Sequence, residues 1–219
     1  MKSEKRIIFA GNNTALKREL LEELTHSEGR AGMKFTVAEG LEQGEAGDYV
    51  FLFAGQEETG RIPEATEFLE LLEQVKKLEP SSAVLVTDTA VYGKSFGQPH
   101  LLKENEFGYV CHTSEEDRAA QLMRTAEHFA CRMVRESGLN LKVARAVGGQ
   151  TGEGRREMAE RAVKVLLLGK AGEPYNLLAG KMGKSPSSPL SPREILTDDT
   201  KVRTLDSESK GSVCCCGTI

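Results

Sequence analysis

The chain has 219 residues, of which 39% are hydrophobic and 28% charged, with a formal net charge of −4 at pH 7. These values are typical of a globular protein with one domain and a full core. We expect no nucleic-acid binding, because basic residues are not in excess, and neither a membrane span nor a signal peptide, because no long apolar run or charged-then-apolar leader is present.

Apolar runs and helical patterns alternate along the first half of the chain. The run at 5–10 (KRIIFA) predicts a buried strand, after which Asn13 or Thr14 can cap a helix. Further strands are predicted at 34–39 (KFTVAE) and 48–55 (DYVFLFAG). The second of these is apolar without alternation, which predicts a strand covered on both faces, as in a parallel sheet.

The same alternation continues through the second half. Pro63 opens a predicted helix that ends at Pro80, and a strand is predicted at 83–87. The remaining predicted elements are a loop at 93–113, helices at 114–136 and 153–168, and strands at 141–146 and 174–178. Strands that alternate with helices predict an α/β, Rossmann-like three-layer fold with a mostly parallel sheet.

The composition of the chain changes after the last predicted strand. Residues 1–180 contain every predicted element, whereas 181–219 are rich in polar residues and proline and predict a flexible tail. The tail contains three adjacent cysteines, Cys214, Cys215 and Cys216, which are poor partners for one another and form no disulfide framework. This usage favours a reducing compartment, and we expect a cytoplasmic location.

Several segments together resemble one known family. The segment 87–93 (TDTAVYG) ends a buried strand with small hydroxylated residues followed by Val-Tyr-Gly. It resembles the strand end of the extended short-chain dehydrogenases/reductases, the NAD-dependent sugar-nucleotide epimerases and dehydratases. Further matches are 48–56 (DYVFLFAGQ), the Ala126-Glu127, Gly138-Leu139 and Arg145 set, and 172–176 (GEPYN). The resemblance implies a Rossmann-like fold and chemistry on a nucleotide-sugar.

The resemblance also implies a cofactor site between the first strand and the first helix. The family uses a G-x-x-G-x-x-G turn there, so that the backbone can approach the pyrophosphate at the helix N-terminus. Gly11 keeps the first glycine, while Thr14 and Lys17 replace the other two. The cofactor-binding residues that the resemblance assigns are Gly11, Asn12, Asn13, Thr14, Glu39, Ala54 and Gly55.

Each of these residues also has an ordinary structural explanation. Glu39 takes the place of the acidic residue that holds the ribose hydroxyls, but a glutamate at a strand end is commonly only solvated. The turn after Gly11 is equally typical of a capped helix that follows a buried strand. We therefore expect weak or absent binding of NAD or NADP, because side chains replace two glycines, and we expect no metal.

The catalytic pair of the family is absent from the matching positions. The family transfers protons with Tyr-x-x-x-Lys on its long helix, and no tyrosine here precedes a lysine at that spacing. Alignment through Glu127 places Ala119 and Met123 at those positions, and neither can transfer a proton. Asp88 stands where the family has the serine or threonine that bonds the reacting sugar oxygen, and an ionised carboxylate cannot donate that bond.

These differences lead to two hypotheses for the function. The family's substrate domain is expected to be largely missing, since Gly148 replaces its opening asparagine and the chain reaches its last helix quickly. We expect a non-catalytic relative that acts in protein interaction or nucleotide sensing, in a homo- or hetero-oligomer with an active homologue. The alternative is an active NAD(P)-dependent enzyme on a nucleotide-sugar, with Asp88, Thr87 and Thr89 as its catalytic residues.

Overall fold

The computed structural model describes residues 5–26, 35–55, 57–92, 115–146 and 152–177. Its strands are β1 (Lys5–Gly11), β2 (Phe35–Glu39), β3 (Tyr49–Phe53), β4 (Ser82–Asp88), β5 (Leu141–Ala146) and β6 (Pro174–Leu177). Its α-helices are α1 (Ala15–His26), α2 (Ala65–Leu78), α3 (Glu115–Ser137) and α4 (Gly152–Leu168). Two short 3₁₀ helices lie at Leu41–Gln43 and Thr89–Tyr92.

The strands form one sheet in the order β2-β1-β3-β4-β5-β6, and every neighbouring pair is parallel. The carboxyl ends of the strands therefore meet at one edge. The register brings Gly11 beside Phe53, and Arg145 beside Asn176. The predicted α/β, Rossmann-like architecture with a parallel sheet is confirmed.

The helices cover both faces of this sheet, as the uninterrupted apolar strands predicted. Along β3, Val50 and Leu52 pack beneath α2 and α3, whereas Phe51 and Phe53 pack beneath α1 and α4. On the second face the rings of Phe9 and Phe53 stack with their centroids 5.5 Å apart. Because side chains alternate between the faces, a strand that is apolar throughout can be buried on both.

The start of α2 differs slightly from the sequence prediction. The helix begins at Ala65 rather than at Pro63, because Glu64 is its N-cap. Glu64 and Glu67 form a reciprocal capping box, in which the backbone N–H of Glu64 donates to Oε1 of Glu67 over 3.0 Å. This arrangement satisfies two backbone donors that a helix start leaves without intrahelical partners.

Some predicted features fall outside the described residues. They are the loop at 93–113, the position of Gly148, the tail at 181–219 and its cysteines. Within the part of the chain that is described, no helix combines the length and the apolarity needed to cross a membrane. In that same part, no group of three or more His, Cys, Asp or Glu side chains could hold a metal ion.

Candidate functional site

The carboxyl edge of the sheet is the candidate site. In open α/β sheets, ligands bind outside the carboxyl ends of the strands, where the strand order reverses. Here that point lies at β1, since β2 is on one side of it and β3 on the other. The predicted cofactor positions all lie at this edge, with Gly11 closing β1, Glu39 closing β2, and Ala54 and Gly55 following β3.

Gly11 is required by a contact within the sheet. Its φ is +93°, and a Cβ at this position would lie 2.4 Å from the carbonyl oxygen of Phe53, which is too close for any side chain. The backbone N–H of Asn12 donates to that same oxygen over 3.0 Å. The side-chain amide of Asn12 donates to the carbonyl oxygen of Gly55 over 2.8 Å. The turn after β1 is thus bound to the end of β3.

Thr14 caps helix α1, as one of the two sequence alternatives predicted. Its Oγ1 accepts the backbone N–H of Lys17 over 3.0 Å, and its own N–H donates to the carbonyl oxygen of Asn12 over 2.9 Å. The side chain of Lys17 is buried despite its charge. Its Nζ donates to Oδ1 of Asn13 over 3.0 Å and lies 3.4 Å from Oε2 of Glu39.

The end of β4 meets the middle of α3. Thr87 is fully buried, and its hydroxyl donates to Oε1 of Glu127 over 2.8 Å. Asp88 is partly buried, and its backbone N–H lies 3.4 Å from Sδ of Met123. Ala119 is also buried, one helical turn before Met123. The side chain of Thr89 lies outside those that the structure describes.

A buried polar network lies beside Thr87, and sequence reasoning did not predict it. Glu127 and Arg145 form an ion pair with Nη2 and Oε2 2.7 Å apart, and both side chains are almost fully buried. Nη1 of Arg145 donates to the hydroxyl of Tyr92 over 3.1 Å, and that hydroxyl donates to Oδ1 of Asn176 over 2.6 Å. The sequence contained one signal of this network: Glu127 and Arg145 are charged residues that interrupt the apolar patterns of α3 and β5.

Arg124 fixes the 3₁₀ helix that follows β4. Its Nε donates to the carbonyl oxygen of Val91 over 2.7 Å, and its Nη2 to that of Tyr92 over 3.1 Å. Partial burial lowers the pKa of Arg124, an effect that the charge of Glu127 opposes and that of Arg145 reinforces. The guanidinium still stays protonated, so Arg124 holds backbone in place and is a poor general base.

Comparison with known proteins supports the fold alone. No protein-family model matches the chain, and no curated protein matches it. Solved structures that match include RMD from Pseudomonas aeruginosa complexed with NADPH, at 16% identity and a TM-score of 0.59, covering 80% of this chain and 77% of that one.

Two further solved structures have the same architecture. UDP-N-acetylglucosamine 4-epimerase from Bacillus cereus matches at 15% identity and a TM-score of 0.57, over 92% of this chain and 91% of that one. dTDP-glucose 4,6-dehydratase from Bacillus anthracis in complex with NAD matches at 14% identity and a TM-score of 0.52, over 80% and 75%. The chain therefore shares the fold of these solved enzymes, which is the Rossmann-like fold that the resemblance implied.

Proposed function

We propose that this chain is a non-catalytic relative of the NAD-dependent sugar-nucleotide epimerases and dehydratases, and that it acts in protein interaction. One observation carries the proposal: Ala119 and Met123 on α3 occupy the positions that align with the family's catalytic tyrosine and lysine, and Met123 contacts the end of β4. Both side chains are buried, and Sδ of Met123 lies 3.4 Å from the backbone nitrogen of Asp88. A methyl group and a thioether cannot take up or release a proton.

The polar side chains between the end of β4 and α3 are bonded to one another. The hydroxyl of Thr87 is used by Glu127, whose carboxylate is paired with Arg145. The phenol of Tyr92 is held between Arg145 and Asn176 and is only 2% exposed. Groups that are bonded to one another and shielded from solvent are poorly placed to exchange protons with a substrate.

Asp88 supports the alternative of an active enzyme. It ends β4, it is less buried than the other residues of that strand, and its backbone contacts Met123, so its carboxylate is the acid/base candidate of this alternative. In this alternative Asp88 accepts a proton from a sugar hydroxyl, with NAD or NADP as hydride acceptor. General acid/base catalysis contributes about 10²–10⁴-fold, so its loss would abolish most of the turnover.

An assay of the full chain separates the two hypotheses. The purified protein is incubated with UDP-, GDP- and dTDP-sugars and with NAD(H) or NADP(H), and conversion of the sugar and of the cofactor is followed. We expect no turnover above the protein-free control. Turnover that disappears in Asp88→Ala but persists in Glu136→Ala, an exposed residue of α3, would establish the enzyme instead, with circular dichroism verifying both folds.

We further propose a cytoplasmic oligomer, formed with itself or with an active homologue of the same fold. The support is that the described part of the chain keeps a six-stranded sheet although the catalytic pair is gone. Size-exclusion chromatography with light scattering, with and without a co-expressed catalytic homologue, measures this association. Elution as a monomer in both samples would contradict it.

A further inference from the structure

On the basis of the proposed function, we infer that the dinucleotide crevice is closed by the chain's own side chains, with Lys17 as a latch between α1 and β2. The residues present do not fit the pyrophosphate and ribose of NAD or NADP. This favours protein interaction over nucleotide sensing, because a sensor must bind its nucleotide. Three sets of contacts support the inference.

The first set uses donors at the start of α1. A dinucleotide fold binds pyrophosphate through backbone N–H groups at this helix N-terminus. Here the N–H of Thr14 donates to the carbonyl oxygen of Asn12, and the N–H of Lys17 donates to Oγ1 of Thr14. Two donors of the turn are therefore satisfied internally, and an incoming phosphate would have to displace the threonine cap.

The second set involves the ammonium group of Lys17. Its side chain is 9% exposed, and Nζ bridges Oδ1 of Asn13 at 3.0 Å and Oε2 of Glu39 at 3.4 Å. Glu39 is the residue to which the resemblance assigns the ribose hydroxyls, and here it pairs with a lysine. Lys17 thus links the turn after β1 to the end of β2, which are the two segments that a bound dinucleotide would bridge.

The third set places two side chains beside Gly55. Gly55 is one of the two small residues after β3 that the resemblance assigns to the cofactor site. A Cβ built on Gly55 would lie 3.6 Å from Cγ2 of Thr14 and 3.6 Å from Sδ of Met123. Thr14 replaces a glycine of the phosphate turn, and Met123 replaces the catalytic lysine. Both replacements therefore lie beside the same small residue and leave room there for little more than a methyl group.

A titration of the full chain tests whether the crevice is closed. NADH and NADPH fluorescence is followed during addition of the protein, and the melting temperature is measured with each dinucleotide at about 1 mM. We expect no saturable signal and no rise in melting temperature. A ligand present well above its Kd would raise the melting temperature by about 2–4 °C for each roughly fivefold increase in the folding equilibrium constant. Saturable binding with a low-micromolar Kd would overturn the closed crevice.

A mutant cycle tests the latch itself. Lys17→Met, Glu39→Gln and the double variant are compared by thermal melting with Lys164→Met, which removes an exposed lysine of α4. We expect Lys17→Met to lower the melting temperature by about 3 °C, the double variant to lose less than the sum of its single changes, and Lys164→Met to lose less than about 1 °C. Losses that add without coupling would overturn the latch.

These outcomes also separate the inference from the function proposed above. Dinucleotide binding without turnover would contradict the closed crevice but would agree with a non-catalytic protein, which would then be a nucleotide sensor. Turnover of a nucleotide-sugar would remove the non-catalytic function.

Discussion

The two ends of β5 each contain a buried cation, and the two cations are stabilised in different ways. Arg145, near the carboxyl end, and Lys142, near the amino end, are both cations with almost no exposure to solvent. Arg145 is paired with the carboxylate of Glu127. Lys142 donates to the hydroxyl of Ser82 over 2.7 Å and approaches the carbonyl oxygen of Asn140 at 3.5 Å. A buried charge is therefore neutralised at one end, and solvated by neutral oxygens at the other.

The environment of Lys142 is explained by the end of α4. The hydroxyl of Ser82 accepts from Lys142 and donates to the carbonyl oxygen of Leu166 over 2.5 Å. That carbonyl belongs to the last turn of α4, which carries the negative end of the helix dipole. Burial nevertheless lowers the pKa of Lys142 to about 8. The neutral partners and the dipole thus do not fully compensate for the hydration that the ammonium group loses on burial.

The largest predicted effect comes from breaking the ion pair at the carboxyl end. Glu127→Gln leaves Arg145 buried without a counter-charge, which typically costs about 3–5 kcal/mol of unfolding free energy. The matched control is Glu136→Gln, because the pair of Arg132 and Glu136 is about 60% exposed on the same helix. We expect the control to lose less than about 0.5 kcal/mol in urea denaturation. Equal losses in the two variants would show that burial does not determine how much an ion pair contributes to the unfolding free energy.

The amino end is predicted to make stability depend on pH. The pKa of Lys142 lies below its unfolded value of 10.5, so the unfolded chain binds a proton first as the pH falls. Stability should decrease as the pH is lowered from about 10.5 to about 8, by an amount on the order of 3 kcal/mol, and this loss should be complete below that range.

Lys142→Met is the variant that isolates this effect. It removes the titrating group but keeps an unbranched apolar chain of similar length, so the variant should be more stable than the wild type at pH 7. Its unfolding free energy should lack the Lys142 contribution between pH 8 and 10.5. A wild-type protein and a variant with parallel pH profiles in denaturant titrations would contradict the prediction.

The smallest predicted effect sharpens the account of the carboxyl end. Tyr92→Phe removes the hydroxyl that links Arg145 to Asn176 but leaves the ion pair with Glu127 intact. The amide oxygen of Asn176 then loses its bond in a buried position, which should cost about 1–2 kcal/mol. Chemical denaturation measures this loss. A loss as large as that of Glu127→Gln would mean that the network depends on the phenol more than on the ion pair.

The fold could be predicted from the sequence because the patterns that determine it lie within short segments of the chain. The run at 49–53 contains only aliphatic and aromatic residues, and such a strand is typically covered on both faces. Thr14 could be predicted as a cap for a similar reason, since a hydroxyl just before a helix can reach the first free N–H groups.

The polar contacts could not be predicted from the sequence. The residues that form them are distant in sequence, or meet only because of the direction in which a side chain points. Glu127 and Arg145 are separated by the end of α3 and a turn, and only the packed fold shows that they meet. Lys142 is the second residue of a strand and resembles a surface lysine until α4 covers it. Lys17 lies in the first turn of a typical helix, and no neighbouring residue in the sequence indicates that its ammonium group contacts Glu39.

Hydrogen exchange tests most directly whether the side chains at the carboxyl edge bind one another instead of a ligand. Exchange of the backbone amides at 12–17 and 35–40 is measured by mass spectrometry for the full chain alone, with NADH or NADPH, and with a nucleotide-sugar added to each. Since these segments already bond internally, we predict identical exchange in every sample. Slower exchange at 12–17 on addition of either dinucleotide would contradict the account.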